Sequence, residues 1–105
     1  MGVVLSAQNA RKRRKVLLIE DDPAIRTVVA EVCRREGYEV AEAPSGKQGI
    51  QSALSGEPDV ILLDWVLPDI NGIEVCRELR RQGIGAAIIM LTGRSSNVDI
   101  VVGLE

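Results

Sequence analysis

The stretch LLIEDD, residues 17–22, decides how the rest of the chain is read. An apolar run stops abruptly in three consecutive carboxylates, Glu20, Asp21 and Asp22. Like charges this close repel, and each raises the free energy of ionising the next. Placing that repulsion at the end of a buried strand implies a partner for the acids, and the surrounding sequence indicates its kind.

Outward from this stretch, strand and helix patterns alternate. Residues 16–19 form an apolar, β-branched run, and over 23–36 Ile25, Val28, Val29, Val32 and Cys33 recur with helical spacing. Pro23 suits a first helical position and Gly37 the residue just past the end. Residues 39–43 read as a short strand, and Ser45 as the N-cap of a helix carrying Ile50, Ala53 and Leu54 that ends near Ser55 and Gly56. The continuous apolar runs at 60–63 and 87–91 have the pattern of strands buried on both faces. Between them, 72–81 is helical with Ile73, Cys76 and Leu79 inward, and Asn97 is expected to cap a last helix with Val98, Val101 and Val102 on one face. Four alternations of strand and helix give an α/β class, an open parallel sheet with helices on both faces. Such sheets bind ligands beyond the carboxyl ends of their strands, where strand order reverses. Glu20, Asp21 and Asp22 end the first strand, Asp64 the third and Thr92 the fourth. If strands one and three are neighbours, these polar groups converge.

Composition narrows the chemistry. With 46% hydrophobic and 27% charged residues, the 105-residue chain suits one globular domain. A net charge of -2 suggests neither nucleic acid nor an anionic membrane as a partner of the whole. No apolar run approaches the ~18 residues of a bilayer span. The N-terminus, MGVVLSAQNARKRRK, has its charges after a brief apolar piece, the wrong order for a secretory signal, so a cytoplasmic location is expected. Histidine is absent, which removes the commonest general base and the commonest zinc ligand. Cys33 and Cys76 have no metal-ligand spacing and read as small hydrophobes on helix faces. An oxygen-only acidic site suits Mg²⁺, which takes one or two carboxylates, waters and a phosphate oxygen. A carboxylate such as Asp64 beside the ion can accept a phosphoryl group as an acyl phosphate, and Thr92 could bond a phosphoryl oxygen. The competing use of the acids is helix N-terminal capping, which applies most directly to Asp22, next to Pro23. The run Arg11 to Lys15 is either a solvated leader or a contact for an acidic partner or nucleic acid. Trp65 reads as a partly exposed loop residue.

Residues 15–105, after a basic leader at 1–14, resemble the receiver domain of a two-component response regulator. The resemblance is carried by KVLLIEDDPAIR, VILLDWVLPDINGIEVCRELR, IIMLTGR and the final VVGLE, with Asp64, Pro68 and Gly72 in a D-x-x-x-P-x-x-x-G pattern. It implies a flavodoxin-like sheet in the order 2-1-3-4-5, with Asp64 as phospho-acceptor, Glu20 and Asp21 as the acidic pair around Mg²⁺ and Thr92 as switch hydroxyl. The backbone carbonyl of Val66 is the further implied metal ligand, Gly93 a small residue that leaves the site open, and Asp22 a loop position without a ligand role. It further implies a phospho-acceptor rather than an enzyme, a sensor histidine kinase or phosphotransfer protein as partner, and no membrane contact. DNA would be bound only through an output domain outside this chain, with EDDPAIR and VVGLE leaning towards the transcriptional group.

The family continues beyond what Glu105 matches, with a fifth strand ending in a lysine and a fifth helix; Lys12, Lys15 and Lys47 are at no equivalent strand end. The chain is therefore expected to hold four of five βα units, as a fragment of a longer regulator. The first helix is then expected to expose part of its apolar side, and strand four to be an apolar edge open to self-association. An aspartyl-phosphate phosphatase is the alternative enzyme reading, although Val66 stands where its second acid would be. A non-phosphorylatable interaction module is another. A flavin or nucleotide binder is the third class, and the acidic loop after strand one argues against it.

Overall fold

The computed structural model describes residues 14–92 and 99–103. Arg11, Lys12 and Arg13 of the basic run, Gly93, and the expected cap Asn97 with Val98 lie outside the described residues, as does the side chain of Thr92.

Strands β1 (Lys15–Ile19), β2 (Glu39–Ala43), β3 (Val60–Asp64) and β4 (Ala87–Thr92) alternate with helices α1 (Pro23–Arg35), α2 (Gly46–Gly56) and α3 (Gly72–Arg81). The four strands are parallel, and a fifth, β5 (Asp99–Gly103), pairs antiparallel with β4, giving the order β2-β1-β3-β4-β5. The open parallel sheet expected from the alternation, in the flavodoxin-like form that the resemblance implies, is the fold of the chain.

Each helix begins where a short polar side chain satisfies its first free N–H groups. Asp22 caps α1, Ser45 caps α2 through Gln48 N at 3.2 Å, and Asn71 caps α3 through Glu74 N at 3.0 Å. α1 ends at Arg35, and Gly37, just past its C-cap Glu36, has a φ of +96°, the left-handed conformation that favours glycine.

One face of the sheet supplies Leu17, Ile19, Ile61, Leu63, Ile88 and Met90 to a core closed by Ala53 of α2 and by Val75 and Leu79 of α3. The alternate residues of β1, Val16 and Leu18, are also buried, so this central strand is covered on both sides. The second face is covered more thinly. Ala30 is the buried residue of α1, while Ile25, Val28 and Val32 are 47%, 61% and 52% exposed. The first helix therefore shows water part of its apolar side, as expected. Cys33 on α1 and Cys76 on α3 are both free thiols, and Cys76 packs against the core.

The last segment departs from the sequence reading. Residues 99–103 are a strand, with Thr92 opposite Asp99 and Ile88 opposite Gly103, where a helix was expected to begin at Asn97. Val98, Val101 and Val102 have helical spacing, but Ile100, Val101 and Val102 are all β-branched, which lowers helix preference and suits a pleated surface. β4 presents an unpaired row of N–H and C=O groups on the side away from β3, and these residues fill it. Of the fourth βα unit, the described residues contain the strand and, at 99–103, a further strand in place of the helix expected there. The same pairing corrects the expectation of an open β4 edge, because the chain's own β5 occupies that edge.

α3 approaches the carboxyl end of β3 closely enough to need Gly72. A Cβ there would stand 2.7 Å from the carbonyl oxygen of Asp64 and 3.0 Å from Trp65 Cα, both backbone atoms that cannot rotate away. Gly72→Ala is expected to destabilise the fold by about 1–3 kcal/mol, the clash outweighing the helix preference of alanine. Urea denaturation checks this; an unchanged midpoint would show that α3 shifts freely.

Candidate functional site

Register alone brings the acids together. Ile19 of β1 lies opposite Leu63 of β3, so the next residues, Glu20 and Asp64, leave the sheet side by side. One carboxylate oxygen from each of Glu20, Asp21 and Asp64 lies within 4.8 Å of the other two, a cluster that could hold a metal ion. Asp22 turns away from it. Its Oδ1 accepts the N–H groups of Ala24 at 2.9 Å and Ile25 at 3.3 Å, so its side chain caps α1.

The cluster is anchored from several sides. Glu20 N donates to Ala43 O of β2 at 3.0 Å, and Asp22 N donates to Glu20 Oε2 at 3.0 Å. Arg26, one turn into α1, donates from Nη1 to Glu20 O at 2.8 Å and Asp21 O at 3.4 Å. On the other strand, Trp65 N donates to Leu91 O at 3.0 Å and Gly72 N to Trp65 O at 2.8 Å, fixing the backbone just after Asp64. Asp69 then ties the same loop to α2: its carboxylate accepts the N–H groups of Gly46, Lys47 and Ile70, each at 2.9 Å. Those donors, against a desolvation that works the other way, hold the Asp69 carboxyl below its ordinary value.

The electrostatics are those of crowded acids in a half-dry site. Glu20 is 5% exposed. Burial first, and then the charges of Asp64 and Asp21, push its pKa up to about 7, against the stabilising N–H of Asp22. Burial likewise raises Asp64, aided by the charge of Asp21 and opposed by the N–H groups of Val66 and Trp65 and a hydrogen bond with Glu20. Donor chemistry and excess negative charge both fit a hard divalent cation, with Glu20, Asp21 and Asp64 as its holders.

Of the other residues singled out in the sequence, Val66 is exposed, two positions past Asp64, and its N–H serves the Asp64 carboxylate. Thr92 ends β4, next to the strand that ends in Asp64. Lys15 opens β1 at the end opposite the acids, its Nζ 3.3 Å from Gly56 O, and Lys47 sits in the first turn of α2. Trp65 is the partly exposed loop residue expected, just past the end of β3, with its buried part packed against the core. Arg26 and Asp69 were not singled out. Both act on backbone groups, and their only sequence signals are a basic residue one turn after an acidic strand end and an Asp before Ile-Asn in a turn.

Residues 16–105 match the family model of the response regulator receiver domain. The chain is 49% identical over 90 residues to the transcriptional regulatory protein AfsQ1 of Streptomyces coelicolor, covering 86% of the chain and 40% of the relative. It is 41% identical over 93 residues to the DNA-binding response regulator MtrA of Mycolicibacterium smegmatis, covering 89% and 40%. The chain thus spans less than half the length of these curated relatives. Among solved structures, the response regulator TrrA of Thermotoga maritima superposes with a TM-score of 0.74 at 36% identity, over 78% of this chain and 71% of that one. No helix among the described residues is long and apolar enough to cross a membrane.

The raised Glu20 pKa gives the cation-free protein a defined pH dependence. A carboxyl whose folded value lies above its unfolded one stabilises the fold fully below the unfolded value and loses that contribution as pH rises through the folded value. For Glu20 the window runs from 4.5 to about 7, and Asp64 acts in the same direction. Without divalent ions the protein is expected to lose on the order of 2 kcal/mol of stability between pH 5.5 and pH 8. Added Mg²⁺ should restore much of it at pH 8. A stability flat across that range would mean that Glu20 ionises normally.

Proposed function

The chain belongs to the response regulator receiver domain family, and from that premise we propose that Asp64 accepts a phosphoryl group from a sensor histidine kinase or phosphotransfer protein. The observation that carries this reading is the placement of Asp64 at the end of β3 within one carboxylate cluster with Glu20 and Asp21. Glu20, Asp21, Asp64 and the backbone carbonyl of Val66 would hold Mg²⁺, whose bound charge offsets that of the acids and of an incoming phosphoryl group. The crystal structure of the relative TrrA in complex with Mg²⁺ and BeF supports the choice of ion.

The chain's own part in the reaction is orientation and acceptance. An Asp64 carboxylate oxygen attacks phosphorus, an acyl phosphate bond forms, and the phosphorus–nitrogen bond of the donor histidine breaks. The electron pair leaves on the donor imidazole, which recovers a proton from water. The N–H groups of Val66 and Trp65 on the Asp64 carboxylate hold it in place for attack. Thr92, at the end of the adjacent strand, is the hydroxyl assigned to the phosphoryl oxygen and to the switch that follows. The reaction belongs in the cytoplasm with its donor. The output is transcriptional, through a domain beyond this chain, as the names of AfsQ1 and MtrA suggest.

Incubation with Mg²⁺ and acetyl phosphate, followed by mass measurement, tests the reading. One phosphoryl adduct per chain is expected, absent without Mg²⁺ and absent in Asp64→Asn, a nearly isosteric change that leaves the fold intact. An adduct that persists in Asp64→Asn would move the acceptor elsewhere. Continuous consumption of acetyl phosphate without an adduct would favour a phosphatase-like enzyme.

A further inference from the structure

Arg26 belongs to no part of the phospho-accepting reading, yet its guanidinium joins three segments at the acidic site. It projects from α1, donates from Nη1 to the carbonyls of Glu20 and Asp21, and pairs through Nε with Glu42 of β2 at 3.4 Å. Its side chain is 21% exposed, so most of it is enclosed by what it touches. Glu42 is itself steadied by Arg34 at 3.1 Å. A planar guanidinium offers its donors in a fixed fork, so bonding two carbonyls and a carboxylate sets the orientation of all three.

One of those carbonyls has a direct consequence for the site. The Asp21 carbonyl and the Asp22 N–H belong to the same rigid peptide unit. That N–H is the donor 3.0 Å from Glu20 Oε2. Fixing the carbonyl therefore aims the N–H, and the N–H holds the Glu20 carboxylate towards Asp21 and Asp64. The Glu20 carbonyl bond at 2.8 Å fixes the preceding peptide unit, where Asp21 begins.

We infer that Arg26 is a positioning residue for the cation site, acting through the Glu20–Asp21–Asp22 backbone rather than by contact with the ion. This rests on the reading that Glu20, Asp21 and Asp64 hold a divalent cation. Its sign distinguishes it from a field effect. Arg26 carries a positive charge, so if it acted only by charge, removing it would tighten Mg²⁺ binding. If it acts by positioning, removing it weakens binding.

The test is a Mg²⁺ titration of the 105-residue chain followed by Trp65 fluorescence, with thermal melts of each variant in parallel. Arg26→Met is expected to weaken Mg²⁺ binding about 10-fold, the low end for residues that orient metal ligands. Arg26→Lys keeps the charge but not the fork and should recover part of the affinity. Glu42→Asp, which keeps the charge but shortens the reach to the guanidinium, should weaken binding by a smaller factor; both milder variants report even where Arg26→Met folds poorly. Variants that melt lower but bind Mg²⁺ as the parent does, or more tightly, would overturn the inference alone. A parent chain with no saturable response to Mg²⁺, or one whose response survives Asp21→Asn unchanged, would overturn the cation reading and the inference with it.

Discussion

Three carboxylates at the carboxyl ends of two adjacent strands, with oxygens within 4.8 Å of one another, are the constraint around which this fold is built. Burial and mutual repulsion push Glu20 up to about 7 and raise Asp64 as well. A site like this is unfavourable for the isolated chain and favourable for a chain with a cation. It persists because the backbone is held elsewhere: β1 is buried on both faces, Glu20 N is bonded to β2, and Trp65 is bonded to β4 and α3. The strain is electrostatic, and hydrogen bonds to peptide groups keep it in place.

The loops around the site are fastened by side chains that never face it. Asp22 closes the first turn of α1, Arg26 reaches back from that helix to the acidic carbonyls, and Asp69 ties the loop after Asp64 to the start of α2. Gly72 lets α3 come within contact of the Asp64 carbonyl, where any side chain would push it away. A ligand at such a site shifts the protein only through contacts that differ between two states.

Much of this was legible in the sequence. The runs at 16–19, 60–63 and 87–91 are continuous and apolar, and each is a strand of the parallel sheet; Pro23, Gly37 and Ser45 mark helix ends where expected. The convergence of Glu20, Asp21 and Asp64 followed from placing strands one and three side by side. Asp22 stood between ligand-like and capping uses until its bonds to Ala24 and Ile25 settled it as a cap. The segment 99–103 was misread because spacing and composition point in opposite directions there, and the deciding factor is the free side of β4, a non-local partner that no local pattern displays. Arg26 and Asp69 escaped notice for a related reason. A charged residue on a helix or turn resembles a solvated one until the backbone groups it binds are known.

The central proposal is that the acids hold a cation, and that Glu20, with its pKa raised to about 7, gives up its proton when the cation binds. Calorimetric titration with Mg²⁺ at pH 7, in two buffers of different ionisation enthalpy, counts the protons displaced directly. Release of roughly half a proton per ion bound is predicted at pH 7, fading towards none at pH 9 where Glu20 is already ionised. Binding at pH 7 whose heat is the same in both buffers would mean that no proton leaves, and would contradict the coupling between burial, repulsion and metal on which the site depends.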